Sequence, residues 1–198
     1  MALLASLFWP QTEPRPLVQP GTRWAALAWV LAGSALLALT ARVRVPLPFT
    51  PVPVTGQTFA VLVLAAALGA RRGVQAVLLY LVWGALGLPV FSQGGGAAYL
   101  LGPTGGYLWG FVAMAAVVGA LAERTPPTAP RFWAAFFLGE AALYAVGLLW
   151  LSPFVGGLTR ALQLGLWPFV LPDALKGLAA AAVAAALYAR RPARRPRA

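Results

Sequence analysis

Two charged side chains stand close together at the start of the last long apolar segment. Asp173 is the only Asp and Lys176 the only Lys in the chain. If Pro172 occupies the first turn of a helix, where its missing N–H does no harm, the pair is spaced i, i+3 and shares one face. A charge inside a membrane helix costs about 2.5–3.5 kcal/mol on insertion scales and is tolerated mainly beside a partner or a wet cavity. The pair therefore indicates a binding site.

A second interpretation of the pair stays open on these residues alone. Lys176 would extend its ammonium to the lipid headgroups, and Asp173 would only stabilise the positive end of the helix. The two interpretations have equal weight at this point.

The composition places these residues in a membrane protein. The chain has 198 residues, of which 61% are hydrophobic and 10% charged, whereas soluble domains carry about 25% charged residues. Its apolar runs have the length of membrane-spanning helices and lack the alternation of a membrane β-barrel. The sequence therefore predicts an all-α integral membrane protein.

Charge and residue types exclude several function classes. The net charge of +11 comes from arginines at segment ends, which the positive-inside rule explains without nucleic acid. The absence of Cys and His removes disulfides, Cys/His metal sites and Cys or His catalysis. We therefore expect no enzyme, no catalytic residue, no metal and no cofactor. A purely structural membrane subunit remains an alternative.

Six apolar segments predict six transmembrane helices, at about 24–43, 54–70, 73–91, 103–121, 132–151 and 169–189. They form a domain over 23–189, between a Pro-rich, flexible lead-in (1–22) and a basic tail (190–198). With both termini cytoplasmic, eleven arginines lie inside and three, Arg42, Arg44 and Arg160, lie outside.

The three predicted outer connections have unusual backbone chemistry. The first, over 45–53, has so many prolines that it must be extended. The second is rich in glycine, and the third contains Ser152-Pro153 and Gly156-Gly157. Since Asp173 and Lys176 lie at the same end of their helix, these loops predict a lid over a cavity, where irregular backbone is tolerated in membranes. Ordinary tight turns are the alternative.

Neutral groups near this end complete the candidate site. Gln57 supplies hydrogen-bonding atoms, as does Gln93 in the second connection. The string 102–107 (GPTGGY) offers backbone N–H groups at a helix start, but no Gly-Lys-Ser/Thr follows that could make it a P-loop. Glu140 is a further intramembrane charge that could serve the site, pair with Arg131 or contact another subunit. The candidate substrate-binding residues are Lys176, Asp173, Gln57, Gln93, Gly95, Tyr99, Thr104, Gly105, Tyr107 and Tyr144.

Four ordered motifs carry a resemblance to a known family. They are 46–58 (PLPFTPVPVTGQT), 84–91 (GALGLPVF), 102–107 (GPTGGY) and 172–176 (PDALK). In order and spacing the chain, from about 28 to 187, resembles the BioY family, the biotin-capturing S components of energy-coupling factor (ECF) transporters. It departs from the family pattern at Gly56, where Leu is frequent, and at Pro172, where Gly is common.

The resemblance implies biotin as substrate, in an outer pocket closed by the first and third connections, with Asp173 and Lys176 in that pocket. The chain has no Asn, so a family contact from Asn to the ureido ring must come from another side chain, with Gln57 or Gln93 as candidates. It also implies a transmembrane coupling subunit and paired ATPases as partners, in the bacterial inner membrane. A self-sufficient, proton-coupled carrier for a carboxylate-bearing vitamin is the alternative, with Asp173 or Glu140 taking the proton.

Overall fold

A computed structural model of the chain describes residues 16–18, 20–124 and 130–189, with side chains from 133 to 188 in the last range. The lead-in up to residue 15, the Pro-rich turn at 125–127 and the basic tail lie outside these ranges. Within them the fold is helical apart from one short ribbon. In chain order the elements are α1 (Arg23–Arg42), β1 (Arg44–Val45), β2 (Val54–Thr55), α2 (Gln57–Ala85), α3 (Ala97–Leu101), α4 (Gly105–Arg124), α5 (Pro130–Val155), α6 (Leu158–Gly165) and α7 (Trp167–Ala189).

The five long helices of the described ranges, α1, α2, α4, α5 and α7, are long and apolar enough to cross a membrane. Their outward faces carry large apolar side chains, such as Trp24, Leu39 and Leu171, as expected for a protein surrounded by lipid. The prediction of an all-helical membrane protein is thus confirmed. The count of six spans and the cytoplasmic placement of the termini stay predictions.

Helix α2 folds back on itself at Gly69. This glycine has φ 80° and ψ 175°, which breaks the helix and which residues with a Cβ rarely adopt. A straight helix would separate Gln57 from Tyr80 by about 35 Å. Instead, Gln57 Nε2 donates to the Tyr80 hydroxyl at 2.7 Å. The two arms, 57–68 and 70–85, correspond to the second and third predicted segments, with the break at Gly69 rather than at Arg71-Arg72.

Helix α4 holds this break from the side. The Glu123 carboxylate accepts the N–H of Ala70, at 3.1 Å, which is one of the unsatisfied donors at the start of the second arm. A Cβ on Gly119 would collide with Ala70, so the glycine permits the close contact. On the lead-in, Val18 donates its N–H to the Ala67 carbonyl at 2.8 Å. Although the lead-in is predicted to be flexible, its residues 16–18 lie against the core.

The core surrounds α2, which packs against α1, α4 and α7, while α4 packs on α5 and the short α6 lies between α5 and α7. Tyr80, Leu62, Met114 and Leu151 are among its fully buried side chains. The first connection is not helical, as its prolines predict, but it is not extended throughout, because it turns at Pro48-Phe49, where the N–H of Thr50 bonds to the Leu47 carbonyl. Its ends pair as an antiparallel ribbon, with Arg44 opposite Thr55 and Val45 opposite Val54.

Candidate ligand-binding site

A cavity lies where the first and second connections meet α2, α4, α5 and α7. It is lined by Val52, Pro53, Thr55, Gln57, Thr58, Ser92, Tyr99, Thr104, Tyr107, Leu108, Phe111, Leu143, Tyr144, Phe169, Asp173 and Lys176. Seven of the ten predicted site residues are in this lining. The structure thus brings together residues that stand more than a hundred positions apart in the chain.

The charged part of the cavity is the Asp173–Lys176 pair. Lys176 Nζ lies 2.8 Å from Asp173 Oδ1, and the Tyr144 hydroxyl donates to Oδ2. The Asp173 side chain is 4% exposed and that of Lys176 17%. An ammonium group has three donors, and Asp173 takes one of them. Lys176 therefore points into the cavity toward Asp173 and not to the headgroups, while it keeps donors for a second anion.

The predicted position of Pro172 in the first helical turn is wrong. Helix α7 begins at Trp167, because the N–H groups of Phe169 and Val170 both bond to the carbonyl of Leu166 at the end of α6. Pro172 consequently lies inside the helix. Asp173 and Lys176 are thus in the second and third turns, beyond the positive helix end that the alternative interpretation of Asp173 required.

The amide part of the cavity is centred on Gln57, which is 3% exposed. Its Oε1 accepts from the Thr55 hydroxyl at 3.3 Å, and its Nε2 donates to Tyr80. The Tyr80 hydroxyl donates in turn to the Val90 carbonyl at 3.3 Å. This chain of bonds fixes the amide orientation of Gln57 and ties the first residue of α2 to the second connection.

An aromatic cluster supports the same wall. The rings of Phe91 and Tyr99 stack with centroids 5.0 Å apart, and Tyr80 meets Phe91 edge-on at 5.4 Å. The hydroxyls of Ser92 and Tyr99 share a hydrogen bond of 2.9 Å. A Cβ on Gly84 would collide with the Phe91 ring. The glycine therefore makes room for the ring that positions Tyr99.

Two arginines hold the second connection over the cavity. Arg44 Nη1 donates to the Ser92 carbonyl at 2.6 Å, and Arg42 donates to the Pro89 carbonyl. Arg42 is the last residue of α1 and Arg44 is the first residue of β1. Because Ser92 lines the cavity, these contacts fix part of its roof.

The remaining walls come from α4, α5 and α7. The third connection, which the resemblance implies as part of the closure, supplies none of the lining residues; the second connection supplies Ser92 and Tyr99 instead. The Tyr107 hydroxyl donates to the Gly165 carbonyl at 2.9 Å, and Trp150 Nε1 donates to the Gly102 carbonyl at 3.0 Å. The tyrosines 99, 107 and 144 line the cavity, whereas Trp83 and Trp150 are absent from its lining. In the described ranges no group of three or more Asp, Glu, Cys or His could hold a metal ion.

Three predicted site residues lie outside the lining. Gln93 is exposed in the second connection. At Gly95 and Gly105, a Cβ would collide with the carbonyls of Leu88 and Leu100. The two glycines thus serve close backbone packing in this structure, and the structure does not bring any of the three to the cavity.

Several lining residues are missing from the sequence-based set. They are Val52, Pro53, Thr55, Thr58, Ser92, Leu108, Phe111, Leu143 and Phe169. Helical spacing carries a signal for two of them, since Phe111 follows Tyr107 by four residues and Phe169 precedes Asp173 by four. Ser92, a polar residue between apolar Phe91 and the glycines, also carries a signal.

Comparisons with known proteins agree with this architecture. The family model described as "BioY family" matches residues 14–193. Biotin transporter BioY of Thermotoga maritima is 41% identical over 152 residues, which cover 76% of this chain and 88% of that protein. Biotin transporter BioY of Rhizobium etli is 38% identical over 161 residues, covering 76% and 86%.

A solved structure shares the fold. It is the crystal structure of the S-component for biotin from an ECF-type ABC transporter, with a TM-score of 0.79 at 24% identity. The match covers 88% of this chain and 96% of that one.

Proposed function

The chain belongs to the BioY family, and we propose that it binds biotin in this cavity and carries it into the cell as the S component of an ECF transporter. It is a transporter and not an enzyme. The observation that carries the proposal is the Lys176 ammonium inside a largely apolar cavity, held in place by Asp173 at 2.8 Å. The proposal assigns each part of the cavity to a part of biotin.

The carboxylate of biotin pairs with Lys176. Asp173 uses one oxygen for Lys176 and the other for Tyr144, so it orients the ammonium toward the ligand carboxylate. The empty pair is electrically neutral. When the ligand carboxylate enters, Lys176 is shared between two acids in a desolvated site, where charge-assisted hydrogen bonds are strong.

The ureido head binds at the amide part of the cavity. Gln57 offers both a donor and an acceptor in a fixed orientation, and Ser92 and Tyr99 add hydroxyls. Thr104 and Tyr107 stand in the same lining. Gln57 is better placed for the ring than Gln93, which is exposed outside the lining. Gly95 and Gly105 contribute by letting the loops approach closely.

The apolar walls take the rest of the ligand. Leu108, Phe111, Leu143 and Phe169 line the cavity beside the polar groups. Ligand pockets are commonly apolar with a few placed polar groups that fix orientation. The aliphatic chain and the sulfur-bearing ring of biotin suit such walls.

The proposed setting is the bacterial inner membrane, with both termini in the cytoplasm. Residues 23–189 form the substrate-binding domain, between a lead-in (1–22) and a tail (190–198). Uptake needs a transmembrane coupling subunit and a pair of ATPases, because the sequence has no P-loop with which to hydrolyse ATP. The family resemblance and the biotin transporters among the relatives support this assignment.

Mass spectrometry of the small molecules released from the purified protein tests the ligand. Biotin or a close precursor should appear, and its amount should approach one per chain. A different vitamin would redirect the assignment. Uptake of labelled biotin into liposomes tests the energy source: the chain alone under a pH gradient should be inactive, and accumulation under those conditions would favour the proton-coupled carrier.

A further inference from the structure

A groove runs along the lipid-facing side of the molecule between α5 and α7. This α5–α7 groove is lined by Trp133, Phe136, Phe137 and Glu140 of α5 and by Ala174, Gly177 and Leu178 of α7. None of the seven lines the ligand cavity. Phe137 is 67% exposed and Leu178 52%, so the groove opens outward. Its one charged member is Glu140.

Glu140 lies well inside the apolar span 133–155 of α5, about 10 Å from its start by helical rise. In the described part of the chain the Glu140 carboxylate has no hydrogen bond and no ion pair. Lys176, the nearby cation, pairs with Asp173 instead. Arg131, the other partner considered for Glu140, is nine residues earlier in the same helix, about 13.5 Å along the axis.

We propose that the α5–α7 groove receives a transmembrane helix of a different protein, and that a Lys or Arg of that helix pairs with Glu140. Asp173 and Lys176 pair with each other, so Glu140 has no hydrogen-bond or ion-pair partner among the described residues and lies in apolar surroundings. Ionisable groups at membrane depth pair with a partner or face water. Ala174 and Gly177 have the small side chains that permit close approach of a second helix.

Two other occupants fit the groove less well. A second copy joined through the same face would place Glu140 against Glu140. The arginines that the structure describes, such as Arg42, Arg71 and Arg160, lie at helix ends or in short connections, so a second copy has none of them at this depth. A lipid chain could cover the apolar lining but offers no donor to the carboxylate.

Site-specific photo-cross-linking in native membranes tests the proposal. A photoreactive phenylalanine analogue replaces Phe137 in the groove. In a control chain it replaces Leu149, which is on the same helix, has the same 67% exposure and is absent from the groove lining. The 137 probe should join one other membrane protein through a transmembrane peptide that contains Lys or Arg, with a yield at least tenfold above the 149 probe. Equal yields, or adducts only with lipid or a second copy, would overturn the proposal.

Variants that reverse or remove the charge at residue 140 test the proposed ion pair directly. Glu140→Lys should lower the yield at least tenfold, and changing the basic residue of the captured helix to Glu should restore it. Glu140→Gln, which keeps the shape, should also lower the yield, so the test stands if the Lys variant does not fold. If the cross-linking yield is unchanged in both Glu140→Lys and Glu140→Gln, the proposed pairing is rejected. Biotin binding is measured on each variant, so a chain that cross-links as expected but binds no biotin would refute only the proposed function.

Discussion

The ammonium of Lys176 lies 2.8 Å from the carboxylate of Asp173, one helical turn away on the cavity side of α7. Asp173 also accepts a hydrogen bond from Tyr144 of α5, so α5 positions the Asp173 carboxylate, and that carboxylate in turn positions the Lys176 ammonium. The geometry separates the two interpretations that the sequence left open. The Lys176 ammonium is held at the cavity, where it can meet an anionic ligand.

Replacing Lys176 with Ala should weaken biotin binding about 10- to 100-fold. The reason is the loss of one desolvated, charge-assisted contact, which contributes roughly 1.5–3 kcal/mol. Titration calorimetry on the detergent-purified protein measures the change. Leu175→Ala is the control, because Leu175 is exposed and next in sequence. Unchanged affinity in Lys176→Ala would remove Lys176 from the site.

Asp173→Asn should destabilise the fold more than the double variant Asp173→Asn/Lys176→Met. Removing one partner of a buried pair leaves a charge without compensation and costs about 3–5 kcal/mol when both are fully buried; the partial exposure of Lys176 reduces this cost. Replacing both removes the stranded charge. Thermal unfolding of the four chains of the double-mutant cycle gives the coupling. Additive shifts would show that the two residues act independently.

Gly84→Ala should lower the free energy of unfolding by about 1–3 kcal/mol, as overpacking of a core does. The added Cβ would collide with the ring of Phe91, which stacks on Tyr99 in the cavity wall. Gly102→Ala is the matched control, because its Cβ would meet only ordinary contacts, the nearest at 3.5 Å. Thermal unfolding and biotin affinity measure both effects. Equal stability of the two variants would contradict the packing argument.

Arg44→Ala should speed both binding and release of biotin, with the release rate rising roughly threefold to tenfold. Arg44 holds the Ser92 carbonyl at 2.6 Å, and a charged donor contributes about 1.5–3 kcal/mol when buried and less at an exposed position such as this. Stopped-flow fluorescence follows the rates. Arg160→Ala is the control, since Arg160 is exposed on the same predicted side. A change in affinity with an unaltered release rate would argue against a role in holding the roof.

Short-range patterns in the sequence predicted the apolar spans, the non-helical first connection and the shared face of Asp173 and Lys176, but not the turn at Pro48-Phe49. They succeed because helical period, proline chemistry and i, i+3 spacing are local properties. The start of α7 was misplaced because Leu166, a leucine without a capping side chain, supplies the carbonyl on which the helix begins. A break at Gly69 was equally hidden, since a glycine in an apolar run has several possible roles.

Long-range contacts were beyond reach of such patterns. Arg42 and Arg44 were predicted only as outer charges, yet their acceptors are backbone carbonyls 47 and 48 residues further along the chain. Backbone carbonyls exist at every residue, so no residue type marks these two. The exposed position of Gln93, next to the lining residue Ser92, depends on the loop path in the same way.

The return of α2 at Gly69 also bears on the order in which the protein is built. Chains leave the ribosome N-terminus first, and the bonds of Gln57 to Tyr80 and of Ser92 to Tyr99 need no residue beyond 99. Asp173 and Lys176 arrive with the last of the described helices. A growing chain therefore acquires the Gln57 part of its cavity wall early and both charges late. The capacity to hold an anion is completed only when this last described helix joins the others.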